Sequence, residues 1–61
     1  MQFLIICESF QFVEDCKKVL DEIGVEYSIE EGLEIVTGEF EEDDEIQKVL
    51  ELERIATVEE I

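Results

Sequence analysis

Six of the seven residues from Glu39 to Glu45 carry carboxylates: Glu39, Glu41, Glu42, Asp43, Asp44 and Glu45, interrupted by Phe40. Hard cations such as calcium and magnesium bind clustered oxygens of this kind. The run lacks the marks of a built calcium loop, having neither an Asp-x-Asp-x-Asp-Gly pattern nor a glycine to bend the backbone around an ion. Carboxylates at the start of a helix also satisfy the positive end of its dipole. The run therefore reads first as a solvated helix entry, and second as a weak divalent-cation site.

Cys7 and Cys16 are the other groups able to do chemistry. Their separation fits no zinc or redox spacing, and both fall within apolar periodic segments, so they read as buried free thiols ahead of a disulfide or thiol site. Catalysis finds no support. There is no histidine, Ser9 and Ser28 have no base near them in sequence, and Gly24, Gly32 and Gly38 are too dispersed to form a phosphate loop. No catalytic residue and no cofactor is assigned, and a non-enzymatic chain is expected.

The charge balance narrows the partners. Nineteen acidic residues against four basic ones give a formal charge of −15, which repels phosphates and anionic headgroups, so neither nucleic acid nor membrane is an expected partner. A basic protein surface, a cation, a small ligand held by local chemistry or a second copy of the chain remains. The acidity is not that of disorder, because 46% of the residues are apolar and they fall in periodic blocks. Met1 leads directly into Phe3-Leu4-Ile5-Ile6-Cys7 without a basic leader, and no apolar stretch reaches a membrane span of about 20 residues. A cytoplasmic location and one domain over 1–61 are expected.

The elements that must position these groups follow from periodicity. Residues 2–7 are a continuous β-favouring run, read as a central strand. From Phe12, the apolar positions Val13, Cys16, Val19, Leu20 and Ile23 recur at helical spacing. Ser9 or Gln11 is the expected cap, Glu14 and Asp15 suit the positive end, and Gly24 is a left-handed stop with Val25 packing back towards Leu20. Val25, Tyr27 and Ile29 alternate with polar residues, Glu30-Glu31-Gly32 is a turn, and Leu33–Thr37 returns, so 25–38 is a hairpin. Ile46, Val49, Leu50 and Glu53 predict a second helix over about 43–53. Ile55–Ile61 closes as a strand.

The order β-α-β-β-α-β predicts an α+β fold, the ferredoxin-like α/β plait, with two helices on one face of a four-stranded antiparallel sheet. Alternation along the first strand sends Phe3, Ile5 and Cys7 one way and Leu4 and Ile6 the other. Leu4, Ile6 and Val36 are then candidate interface residues on the open face, with Phe10 a further exposed anchor. The function this supports is a small acidic interaction or regulatory module that recognises a basic protein surface, or self-associates through the open face. The alternative is a divalent-cation protein using residues 39–45.

Overall fold

The computed structural model describes residues 1–61. Strand β1 (Phe3–Cys7) leads into helix α1 (Phe10–Ile23), then strands β2 (Tyr27–Glu30) and β3 (Glu34–Thr37), helix α2 (Asp43–Leu50), a 3-10 turn (Glu51–Arg54) and strand β4 (Ala56–Glu60). The sheet order is β2-β3-β1-β4, and every hydrogen-bonded pair is antiparallel. Strands β1 and β2 are thus parallel with β3 inserted between them, and β3 and β4 are parallel with β1 between them. Two interleaved βαβ units of this kind are the ferredoxin-like plait the element order predicts.

Helix α1 begins two residues before the periodic stripe suggests. Ser9 is extended (φ −152°, ψ 163°) and its hydroxyl accepts from the Phe12 amide at 3.4 Å, so Ser9 rather than Gln11 is the cap. Glu14 and Asp15 consequently lie beyond the first turn, which holds no acidic residue, and the expected dipole contact is not made. At the other end Gly24 adopts φ 78°, its amide reaching the Leu20 carbonyl at 3.0 Å, and the Val25 amide bonds the same carbonyl at 3.1 Å. Buried Val25 closes that cap against the core.

The second helix ends earlier than its stripe. It tightens after Leu50 into the 3-10 turn, which places Leu52, not Glu53, in the core beside Val49. The hairpin loop comprises Glu31, Gly32 and Leu33, and both Glu31 (φ 49°) and Gly32 (φ 79°) have positive φ.

All packing lies on one side of the sheet. Phe3, Ile5, Cys7 and Ile35 project from the strands onto Val13, Cys16 and Leu20 of α1 and onto Val49 and Leu52. Thr37 is the one buried polar residue, and its Oγ1 accepts from the Phe3 amide at 2.9 Å. That bond satisfies a β1 donor where the ladder begins, and no buried side-chain polar atom is left without a partner. No helix is long and apolar enough to cross a membrane.

Candidate functional site

Cross-strand registers define the opposite face of the sheet residue by residue. Leu4 pairs with Val36 on one side and Glu59 on the other, and Val36 pairs with Ser28. One row across the four strands is therefore Ser28, Val36, Leu4, Glu59. The next row, two residues along, is Glu30, Glu34, Ile6, Thr57. Directly opposed residues share a face because side chains alternate along a strand. Leu4, Ile6 and Val36 thus form one contiguous apolar patch, all three half-buried, with Glu30 and Glu34 along one side and Glu59 on the other.

Two features make this face unusual as a resting surface. Glu30 and Glu34 are directly opposed, an arrangement of like charges that weakens a strand pair. Neither has a basic residue within ion-pair distance; the chain forms only two ion pairs, Met1 amine to Glu39 and Lys17 to Glu14, each at 3.2 Å. The Glu30 carboxylate is held in place by the Ser28 hydroxyl, which donates to Oε2 at 3.1 Å. No helix covers the patch, since both pack on the other side.

Phe10 does not join it. At the start of α1, 69% exposed, its ring sits over the hairpin loop, where a Cβ built on Gly32 would lie 3.6 Å from Phe10 Cε1. It forms a separate apolar point at the loop end of the sheet. Phe12, two residues on, packs against the core.

The acidic run disperses into separate tasks. Glu39 faces the Met1 amine, which also donates to the Phe40 carbonyl. Glu41 and Glu42 are exposed ahead of the helix, and Asp43, Asp44 and Glu45 occupy the first turn of α2, where the dipole favours negative charge. No three acidic or thiol side chains anywhere in the chain converge as a metal-binding group.

A groove of about 290 Å³ that apolar periodicity does not reveal lies between α1 and the 3-10 turn, lined by Val19, Ile23, Leu52 and Ile55. Lys48 and Arg54 lie on its rim, without carboxylates in ion-pair range. Cations are the rarity in this chain, and their positions on consecutive turns were the available signal. Asp15, Glu22 and Glu51 share the rim, so negative groups outnumber positive ones and the groove presents no net attraction for an anion.

No family model, no curated protein and no solved structure matches the chain, and its functional reading rests on the geometry above.

Proposed function

We propose that this chain is a non-enzymatic interaction module whose open sheet face binds a basic, amphipathic segment of a protein partner. The observation that carries the proposal is the Leu4, Ile6 and Val36 patch bordered by Glu30, Glu34 and Glu59, with two of those carboxylates opposed across a strand pair. An incoming lysine or arginine placed between Glu30 and Glu34 converts a repulsive pair into a bridged one. Apolar side chains of the same segment cover the patch. Both contributions are absent from the free chain.

The same face is poorly suited to a second copy. Two copies stacked across it bring two sets of Glu30, Glu34 and Glu59 together, within a pair of molecules each carrying −15. Like-charge juxtaposition of this kind opposes association by several kcal/mol. The patch comprises three half-buried side chains, so apolar gain is small and charge dominates. Association is then fast, short-lived and sensitive to salt.

The test is a titration of isotopically labelled protein with a synthetic peptide carrying leucine and lysine at helical spacing. Amide shifts concentrated on Leu4, Ile6, Ser28, Glu34, Val36 and Glu59 support the proposal, as does weakened binding for Leu4→Glu and for Ile6→Lys. Shifts centred on the helices, or a concentration-dependent dimer without peptide, count against it.

A further inference from the structure

We propose that Cys7 and Cys16 form a redox couple that closes to an intramolecular disulfide on exposure to a peroxide. The two thiols come from different elements, β1 and α1, yet their sulfurs meet in the core 3.9 Å apart, each the other's hydrogen-bonding partner. Sequence spacing alone gives no hint of this, since the eight intervening residues turn the corner from strand to helix. A disulfide bond of about 2.05 Å needs the sulfurs to close by roughly 2 Å. Neither thiol has a competing polar partner to surrender.

The order of events follows from access. Cys7 is 3% exposed and Cys16 0%, so the peroxide reaches Cys7 first when the strand–helix corner opens. Cys7 gives up its proton, and its sulfur attacks one peroxide oxygen. The O–O bond breaks, and the departing hydroxide takes up the proton to leave as water. The product is a sulfenic acid on Cys7. The Cys16 sulfur then attacks the Cys7 sulfur, the S–O bond breaks, and the hydroxyl leaves with the Cys16 proton as a second water. Two thiols and one hydrogen peroxide give one disulfide and two waters, with the sulfurs oxidised and the peroxide reduced.

Burial governs both rate and outcome. It lowers thiolate content, so the reaction waits on opening of the corner. It also keeps other molecules' thiols away and leaves Cys16 as the nearest trap for the sulfenic acid, ahead of a second peroxide. The bridge closes a short loop and ties α1 to β1, restricting the unfolded chain.

Wild-type protein treated with hydrogen peroxide, then analysed by intact mass, thiol titration in denaturant and peptide mapping, decides the matter. The expected result is loss of both thiols with a mass decrease of two hydrogens, in a monomer, reversed by dithiothreitol. Melting of the oxidised form should rise by about 10 °C. In Cys16→Ser the Cys7 sulfenic acid, deprived of its trap, should persist and be captured by dimedone; if that variant fails to fold, Cys16→Ala carries the same measurement. Addition of two or three oxygens to a single sulfur, a disulfide between molecules, or thiols that stay free when exposure to peroxide far outlasts amide exchange across residues 7–16 would each overturn the proposal.

Discussion

At the residue scale, two buried groups set sharp expectations. Thr37 is 1% exposed and its hydroxyl satisfies the Phe3 amide. Thr37→Val preserves shape but strands that amide and should cost about 2 kcal/mol, whereas Thr37→Ser keeps the acceptor and should cost about 1 kcal/mol for the lost methyl. Urea unfolding of the pair checks the order. Cys16 governs the alkaline limb. Burial, with help from the Cys7 thiol and Asp15, pushes its pKa from 9.0 up to about 12. The folded chain then holds this proton more tightly than the unfolded chain, so the stabilisation is whole below pH 9 and is lost as pH rises towards 12. Unfolding under reducing conditions should show about 2 kcal/mol lost by roughly pH 10.5. Cys7 is also raised, chiefly by burial; Lys17 is raised by its hydrogen bond to Glu14 and Tyr27 by burial, all with the same sign. Comparison with Cys16→Ala isolates the contribution, since the variant starts less stable but falls less steeply. An equal slope in both proteins would refute it. That both thiols are buried was legible in the sequence from their places in apolar stripes; that they touch was not, because contact depends on how α1 lies across β1.

At the element scale, the order of strands and helices was readable because the apolar period changes along the chain and the first of these changes are marked by residues suited to a boundary. Gly24 ends α1 in the left-handed region, and Ser9 caps its start. Element ends were less readable. The period at Ile46, Val49, Leu50 and Glu53 continues a helical stripe, but core space beside Val49 takes Leu52, and the chain tightens to deliver it. The hairpin hid a second left-handed residue. Gly32 was identifiable from its type, while Glu31 at φ 49° gave no sign, since glutamate carries no preference for that region. Glu31→Asn or Glu31→Gly should therefore stabilise the protein by about 1 kcal/mol, with Glu31→Gln as the charge control. Thermal melts of the set separate the effects: a gain in Gln equal to that in Asn would show that charge, not conformation, is responsible.

At the scale of the whole molecule, the Cα radius of gyration of 10.1 Å is close to the screening length of about 8 Å at physiological salt, so most carboxylates repel one another through or across the fold. Raising sodium chloride from about 20 mM to about 0.5 M should raise the melting temperature by several degrees, because screening relieves repulsion that two ion pairs cannot offset. The open face concentrates this tension. Glu34→Lys should stabilise the free protein by about 0.5 to 1 kcal/mol by pairing with Glu30, and should weaken peptide binding at the same time. The apolar half of this surface was legible from the alternation of β1, which set Leu4 and Ile6 apart from Phe3 and Ile5. The acidic half was not, because the registers that bring Glu30, Glu34 and Glu59 around them are set by pairing between distant segments.

A built surface and a general polyanion differ in how they respond to apolar side chains on a cationic peptide. Calorimetric titration at about 20 mM salt would use two helical peptides of equal positive charge, one with leucines along one face and one with serines in their place. The leucine peptide should bind at least about tenfold more tightly, the worth of covering two side chains of the Leu4, Ile6 and Val36 patch, and Leu4→Glu should remove the advantage. Equal affinity for the two peptides, unchanged by Leu4→Glu, would contradict it and leave only the attraction of any cation to a chain of charge −15.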